Sequence, residues 1–343
     1  MIDRARLSQV CFGGLTALAV AAGAAQAQPV AEFYQGRKVT VYVGYPPGGA
    51  YDVGARLLVR FMGNHLPGNP GFIVVNKPGA SGLILANELY NILPKDGSVF
   101  GTVGRNVPRE QILGTSKTQF DSAKFNWLGT PSREVSVCAV WHTAGVNSTQ
   151  EFLSRPLVMG ANSGGDAEVY PIVLNKLLGT HYKLVTGYPG TQEISLALER
   201  GEVQARCGWS WGAISVEQNW LKDGKVKIML LLSTEKLAGY EQVPRAIDFA
   251  KSDQDKAILE FLAASGELGR PFVAPPDVPA DRVKALRAAF NAVMKDKVFL
   301  AEAEKQQFMV DPLGGEEMQV FVEGMAKAST EVQAAVKDVL SRK

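Results

Sequence analysis

The feature that most constrains the fold is a pattern that recurs along the chain: an apolar run, a loop rich in Gly or Pro, then apolar residues at helical spacing. It first occurs at 38–52, KVTVYVGYPPGGAYD, where Val39 and Val41 are typical of a buried strand. Beyond the loop, Val53 and Leu57 are four residues apart and share one helix face. Strands that alternate with helices in this way predict βαβ units around a parallel sheet.

The loop of this first unit has features that suit an anion. Gly48 and Gly49 allow the backbone to turn and to approach a bound group, and Asp52 is predicted to be the N-cap of the helix. A Gly-rich loop before a helix directs several backbone N–H groups and the positive end of the helix dipole toward one point. Since most strand-to-helix loops contain Gly and bind nothing, this stretch alone does not define a function.

The same pattern appears again in two series. The first series continues with a strand at 72–75 and a loop at 77–82, and a second series has loops at 160–166 and 187–191. Two series predict two α/β lobes. Because ligands of open α/β sheets bind beyond the carboxyl ends of the strands, the two sets of loops are expected to face each other across a cleft.

The N-terminus has the pattern of an export signal. Arg4 and Arg6 precede an apolar run at 10–25, and Ala25-Gln26-Ala27 fits a signal peptidase site, so residues 1–27 are predicted to be a cleaved signal peptide. A short membrane anchor is the alternative, but the apolar run is short for a membrane span. The whole chain has 36 Lys and Arg against 34 Asp and Glu, and removing the signal leaves a charge of +1. This balance gives no support to nucleic-acid or membrane-surface binding.

Two cysteines remain after the predicted cleavage, Cys138 and Cys207. An even pair in an exported protein predicts a disulfide, and two buried free thiols are the alternative. A metal site would add His142, but the chain has only three His and no Cys-x-x-Cys pair. No metal and no cofactor is therefore predicted.

The enzyme motifs in the chain are incomplete. The segment 208–212 matches the Gly-x-Ser-x-Gly pattern of a nucleophile elbow around Ser210, but a hydrolase of that type needs a later His. All three histidines, His65, His142 and His181, precede the motif. The phosphate-binding and dinucleotide-binding Gly motifs are also missing. We therefore expect recognition without reaction, with no catalytic residue.

Candidate ligand contacts outside the loops are few. Arg105, which precedes Asn106, could bind a carboxylate through two parallel hydrogen bonds, although a lone Arg more often lies on a solvated face. Trp209 and Trp211 end the last strand of the second series, and each is equally consistent with stacking on a ligand or with the core.

Five segments together resemble one known family: VTVYVGYPPGGAYDVGARLL, FIVVNKPGASG, PKDGSVFGT, VTGYPGTQEISLALERGEV and FVAPPDVPADRVKALRAAFNAVM. They resemble the periplasmic solute receptors of tripartite tricarboxylate transporters, over nearly the whole mature chain. The resemblance implies an α/β fold, the two-lobed type II periplasmic binding protein (Venus-flytrap), in which each lobe is a mainly parallel sheet flanked by helices. Lobe 1 would comprise 28–131 and 270–343, and lobe 2 would comprise 132–269, with the helical tail packed on lobe 1.

The resemblance also implies a function and a location. The chain would be a monomeric, non-enzymatic receptor in the periplasm that binds a small organic acid and delivers it to the subunits of an inner-membrane transporter. It further implies that the strand at 135–141 lies beside the strand at 203–209, which favours pairing of Cys138 with Cys207.

The ligand loops of the family map onto two stretches of each series. The resemblance and the residues considered above together predict these ligand contacts: Tyr45, Pro47, Gly48, Gly49, Ala50, Tyr51, Asp52, Ala80, Ser81, Arg105, Asn106, Asn162, Ser163, Gly164, Gly165, Asp166, Tyr188, Pro189, Gly190 and Trp209.

One residue departs from the family pattern. Many relatives have small or hydroxyl residues throughout the second-lobe loop, whereas Asp166 brings a carboxylate that could cap a helix or repel an anion. Arg105 could compensate for that charge. The departure leaves room for a monocarboxylate, an aromatic acid or a ligand with an amine. Two other functions remain open, a ligand-sensing module for a signalling partner and a secreted enzyme.

Overall fold

The protein is described by a computed structural model that covers residues 28–114, 118–214, 219–327 and 330–341. The predicted signal peptide, 1–27, lies outside the described residues. The first sheet contains β1 Lys38–Val43, β2 Gly71–Asn76, β3 Val99–Thr102, β4 Asn126–Thr130, β10 Phe272–Ala274 and β11 Leu313–Gly314. The second sheet contains β5 Ser136–Trp141, β6 Val158–Gly160, β7 Lys183–Val185, β8 Ala205–Ser210 and β9 Val226–Leu232.

The helices flank these sheets and mostly follow the strands in alternation. They are α1 Val30–Tyr34, α2 Ala50–His65, α3 Leu83–Asn91, α4 Val107–Leu113, α5 Thr149–Ser154, α6 Asp166–Leu178, α7 Thr191–Glu199, α8 Trp211–Ile214, α9 Asp253–Ala263, α10 Ser265–Leu268, α11 Ala280–Val293, α12 Lys297–Lys305, α13 Gly315–Ala326 and α14 Thr330–Leu340. Within the described ranges, no helix is both long and apolar enough to cross a membrane.

The strand order confirms the two-lobed α/β architecture. The first sheet has the order β11-β4-β10-β3-β1-β2 and the second has the order β7-β6-β8-β5-β9. The βαβ strands are parallel, as β1 is with both β2 and β3, and β6 with both β7 and β8. Both sheets also contain antiparallel pairs, so they are mixed rather than mainly parallel. In the first sheet β10 is antiparallel to β3 and β4, and in the second sheet β5 is antiparallel to β8 and β9. β5 and β10 are the strands that the chain forms first after each change of sheet.

The chain passes between the sheets twice, from β4 to β5 and from β9 back to β10. Both passages fall close to the lobe boundaries expected from the sequence, which remain a prediction in their exact positions. The passages place the loops of the two sheets opposite each other, and several side chains bridge them.

Each sheet has its own hydrophobic core. Phe290 and Leu286 of α11 pack with Val41 of β1 in the first core. The tail was predicted to pack on the first lobe, but its last helix, α14, packs on the core of the second sheet. Val336 of α14 is fully buried there, with Leu262 of α9. The expectation that the whole tail packs on the first lobe is therefore wrong for α14, whose apolar face matches the second lobe.

The N-terminus of α2 corrects a second prediction. Gly49, in an extended conformation, is the N-cap, so the helix begins at Ala50 and Asp52 lies in its first turn. The carboxylate of Asp52 instead accepts a hydrogen bond from the N–H of Gly48 at 2.9 Å, and it also binds Arg56 and Asn76. Asp52 thus ties the first turn of the helix to the residue before its N-cap, one position earlier than the acidic residue of a capping box would reach.

Cys138 of β5 and Cys207 of β8 form a disulfide. The two strands are antiparallel neighbours, with Val137 opposite Trp209 and Val140 opposite Ala205. The adjacency of these strands that the resemblance implied is therefore confirmed. The disulfide links two neighbouring strands inside the second sheet. Cys207 is followed directly by Gly208, Trp209 and Ser210, which lie beside the space between the sheets.

Candidate functional site

A cavity of about 580 Å³, counted with its opening to solvent, lies between the loops of the two sheets. It combines nine residues that were predicted from the sequence as ligand contacts with residues that were not. The nine are Tyr45, Ala50, Tyr51, Arg105, Asn106, Asn162, Gly165, Asp166 and Trp209. The others are Glu134, Ala167, Thr191, Arg206, Gly208, Ser210, Ala213, Gly269 and Arg270. Both sheets supply residues to each group, so the cavity is an interlobe site.

Two stacked tyrosines form one wall of the cavity. The rings of Tyr45 and Tyr51 lie 4.1 Å apart between centroids, at an angle of 12°. The hydroxyl of Tyr45 donates to the carbonyl of Ser81, and the hydroxyl of Tyr51 donates to the carbonyl of Gly269 at 3.3 Å. Burial raises the pKa of both phenols, so they are neutral at physiological pH and add no negative charge to the cavity.

Arg105 is a buried residue of the cavity rather than a residue of a solvated face. It follows β3, and its backbone N–H donates to the hydroxyl of Tyr51 at 3.3 Å. Its Nε donates to Oδ2 of Asp166 at 2.7 Å, and its Nη2 donates to Oγ of Ser136 at 2.7 Å. Burial lowers the pKa of Arg105, but Asp166 together with Tyr51, Glu134 and Tyr170 outweighs burial, so the pKa is raised and the guanidinium stays charged.

Asp166 receives a second guanidinium on its other oxygen. It is the first residue of α6, and its Oδ1 accepts a hydrogen bond from Nη1 of Arg109 at 2.7 Å. The side chain of Arg109 is fully buried. Burial alone raises the pKa of Asp166, but the charges and hydrogen bonds of Arg105 and Arg109 outweigh it, so the pKa is lowered and the carboxylate is ionised. The two ion pairs of Asp166, with Arg105 and with Arg109, connect the segment after β3 to the first turn of α6.

A second buried ion pair lies on the other side of the cavity. The guanidinium of Arg270 contacts the carboxylate of Glu134, and the two side chains are 5% and 1% exposed. Nη2 of Arg270 also donates to Oγ of Ser210 at 3.2 Å, and Oε2 of Glu134 accepts the N–H of Gly212 at 3.1 Å. These two residues lie at the two passages between the sheets, so this pair joins the two passages, and the bond to Ser210 links them to β8.

Arg206 and Trp209 form the floor that β8 contributes. Nη1 of Arg206 donates to the carbonyl of Thr191 at 3.2 Å, and its guanidinium lies 4.7 Å from the centroid of the Trp209 ring. Trp209 is fully buried, and its ring packs edge-on against Trp220 at 6.3 Å. It is therefore a core residue that also borders the cavity, and its stacking on a ligand stays a prediction.

The loops of the two sheets are joined by direct hydrogen bonds. Oγ of Ser81 donates to the carbonyl of Ser163 at 2.8 Å and accepts a bond from Nδ2 of Asn162 at 2.6 Å. Nδ2 of Asn106 donates to the carbonyl of Gly164 at 3.0 Å. These contacts close the loops over the cavity.

Eleven of the predicted ligand contacts do not line the cavity. They are Pro47, Gly48, Gly49, Asp52, Ala80, Ser81, Ser163, Gly164, Tyr188, Pro189 and Gly190. Tyr188 packs against the core of the second sheet, and Pro47, Gly48, Ala80, Ser163 and Pro189 are exposed. Gly49 and Gly190 are the N-caps of α2 and α7.

Three charged residues of the cavity were missed by sequence reasoning. Arg206, Arg270 and Glu134 belong to no local motif, and tertiary contacts alone bring them together. One usable signal was a charged residue inside the apolar strand at 203–209, since an Arg at such a position needs a buried partner or a ligand. Arg270 and Glu134 lie beside the predicted lobe boundaries, where the wall of an interlobe cleft is expected.

Comparison with known proteins gives relatives with this architecture. No family model matches the chain. A UPF0065 protein of Cupriavidus necator, from the gbd 5′ region, is 27% identical over 236 residues, which cover 66% of this chain and 68% of that protein.

Solved structures of similar fold include three solute-binding proteins or complexes. A TctC solute-binding protein from Polaromonas, without ligand, has a TM-score of 0.59 at 21% identity, covering 90% of this chain and 99% of that one. MatC from Rhodopseudomonas palustris with bound malate has a TM-score of 0.67 at 19% identity, covering 89% and 99%. Another R. palustris protein, with adipate, has a TM-score of 0.67 at 18% identity, covering 88% and 97%.

The fold is therefore the two-lobed α/β fold of these solute-binding proteins. Within that class, the chain is similar to TctC-type solute-binding proteins, as its sequence segments indicated.

Proposed function

We propose that this protein is a periplasmic receptor that binds a small organic carboxylate in the cavity between its lobes and delivers it to a tripartite tricarboxylate-type membrane transporter. The observation that supports this proposal is the charge of the residues that line the interlobe cavity. Three guanidinium groups, of Arg105, Arg206 and Arg270, line it against two carboxylates, of Asp166 and Glu134. The cavity therefore has one positive charge in excess, which favours an anionic ligand.

The groups around the cavity suit capture of a carboxylic acid. Guanidinium groups bind carboxylates through charge-assisted hydrogen bonds. The helices α2 and α6 border the cavity with their first residues, Ala50 and Asp166, so the positive ends of two helix dipoles add to the potential there.

The contacts between the lobes support a cycle of capture and release. The loops that close over the cavity are held by hydrogen bonds from Ser81 and Asn106 and by the two ion pairs of Asp166, so these are the contacts that opening breaks. A ligand that bridges the lobes stabilises the closed form by its differential affinity for the two states. A transporter that recognises the closed form then receives loaded receptor.

The similar proteins support the same class of ligand. One of them was solved with malate and another with adipate, and both ligands are small organic acids. Export is supported by the predicted signal peptide and by the disulfide, which forms and persists in oxidising compartments.

Direct binding tests the proposal. Protein beginning at residue 28, unfolded and refolded to remove carried-over ligand, is titrated calorimetrically with aliphatic and aromatic acids and with their uncharged amides. Binding of at least one acid series with no binding of the matched amides supports a carboxylate receptor. Binding of amides as tight as that of the acids contradicts it.

A further inference from the structure

We propose that Asp166 is a specificity-determining residue: its carboxylate occupies an anion position between Arg105, Arg109 and the N-terminus of α6, and so restricts the ligand to monocarboxylic acids with an apolar or aromatic body. The inference rests on the proposed function and names the ligand class of that same cavity.

The position of Asp166 is the one that a ligand carboxylate would be expected to take. Its two oxygens each accept a bond of 2.7 Å from a different arginine, and they lie at the first turn of a helix of 13 residues. The side chains of Asp166, Arg105 and Arg109 are 7%, 8% and 0% exposed, so the group is enclosed by protein. The arrangement is that of a bound anion, except that the anion belongs to the chain.

The neighbouring ion pair removes a second free anion position. Arg270 is bonded to the carboxylate of Glu134, which also lines the cavity. With both internal carboxylates counted, the lining has an excess of one positive charge, which a single ligand carboxylate neutralises. A second ligand carboxylate would enter the cavity beside two internal ones, and the remaining buried guanidinium, of Arg109, is already bonded to Asp166 and to Glu110. Burying an unbalanced charge is strongly unfavourable, so a dicarboxylate is expected to bind at least tenfold more weakly.

The remaining lining suits an apolar ligand body. The ring of Trp209 and the rings of Tyr45 and Tyr51 border the cavity, together with the methyl groups of Ala50 and Ala213. Apolar and aromatic surface of this kind favours a hydrocarbon chain or ring over a second charged group.

The test compares chain-matched acids that differ by one carboxylate. Hexanoate with adipate, and benzoate with terephthalate, are titrated calorimetrically into wild-type protein and into Asp166→Asn. Wild type is expected to prefer the monocarboxylate at least tenfold in at least one pair. In Asp166→Asn, whose neutral amide removes one internal negative charge and leaves Arg105 without its carboxylate partner, that preference is expected to fall at least tenfold.

Asp52→Asn is the matched control. Asp52 is also a buried carboxylate in the first turn of a helix and is bonded to an arginine, but it does not line the cavity. Its substitution is expected to leave the ratio of the two affinities unchanged. Asp166→Glu keeps the charge and is expected to retain the wild-type preference.

The outcomes separate the two proposals. If wild type binds the dicarboxylate as tightly as or more tightly than its monocarboxylate partner, or if Asp166→Asn binds with an unchanged ratio, the role of Asp166 is refuted and the receptor function stands. If wild type binds no acid at all while folded, the proposed function fails as well. The wild-type comparison needs no variant, so the inference remains testable even where Asp166→Asn does not fold.

Discussion

Cys138 and Cys207 are joined by a disulfide that ties β5 to β8 at the base of the interlobe cavity. Both strands carry residues of the site beside their cysteine: β5 holds Ser136, which binds Arg105, and β8 holds Arg206 and Trp209. The disulfide therefore fixes the relative position of two strands on which the charge of the cavity depends.

Removing this disulfide is expected to lower the free energy of unfolding by about 4 kcal/mol, because the bond closes a loop with a sequence separation of 69 in the unfolded chain. Urea unfolding of protein beginning at residue 28, with and without a thiol reductant, measures the change. Cys138→Ser is expected to show a similar loss and no further response to reductant. An unfolding midpoint that reductant leaves unmoved would contradict the prediction.

The ion pairs of Asp166 are expected to stabilise the fold in a pH-dependent way. Because the pKa of Asp166 is lowered in the folded protein, its stabilisation is complete above the unfolded pKa of about 3.9 and is lost as the pH falls through the lower folded pKa. At pH 7, Asp166→Asn is expected to be less stable by about 3 kcal/mol or more, since the buried Arg105 loses its carboxylate partner and Arg109 keeps only Glu110. Urea unfolding should show the difference from wild type shrinking below about pH 4. A difference that stays constant down to pH 2 would refute the assignment.

Arg105 is expected to contribute charge to ligand binding. Arg105→Ala leaves the cavity without its excess positive charge, so the affinity for the preferred acid should fall at least tenfold, as measured by calorimetry. Arg56→Ala is the control, because Arg56 makes the same kind of pair with Asp52 at 3.0 Å but lies half-exposed outside the cavity. Equal effects of the two substitutions would show that Arg105 acts only through stability.

Gly208 is expected to be irreplaceable because of its contact with α6. Its φ is +65°, and an added Cβ would lie 2.5 Å from the carbonyl carbon of Asp166 and 2.7 Å from the nitrogen of Ala167. Gly208→Ala should therefore displace the start of α6, lowering both stability and acid affinity.

Gly201→Ala separates the clash from the backbone conformation. Gly201 has a φ of +73° and no atom within 4 Å of an added Cβ, so its substitution should cost only the left-handed strain of about 1 to 2 kcal/mol. Thermal unfolding and calorimetry of both variants give the comparison. A Gly208→Ala variant as stable as Gly201→Ala would mean that α6 does not pack closely against β8.

Much of the fold could be predicted from sequence because its signals are local. Alternating strands and helices with Gly-rich loops fix the βαβ units. Ser148 followed three residues later by Glu151 is likewise a local pattern of a helix start, and Oγ of Ser148 accepts the N–H of Glu151 at 3.2 Å. The strand directions at the two passages and the docking of α14 on the second core were not predictable, because they depend on which surfaces meet in three dimensions.

The site was predictable in part for the same reason. The loops around Tyr51 and Asp166 lie at strand ends, where periodicity places them at the edge of a sheet. Arg270 and Glu134 are 136 positions apart in the sequence and have no motif, so only the return of the chain to the first sheet brings them together. The sequence also left open whether Asp166 repels a ligand. The second arginine that neutralises Asp166 is Arg109, and no sequence motif connects this residue of α4 to Asp166.

The most direct test of the account is the affinity of refolded, ligand-free wild-type protein for a chain-matched acid, its dicarboxylate and its amide, measured by calorimetry at pH 7. The account predicts that the monocarboxylate binds, that the dicarboxylate binds at least tenfold more weakly, and that the amide does not bind. Binding of the amide as tight as that of the acid, from protein shown to be folded, would contradict the central claim that the cavity is built for a single negative charge.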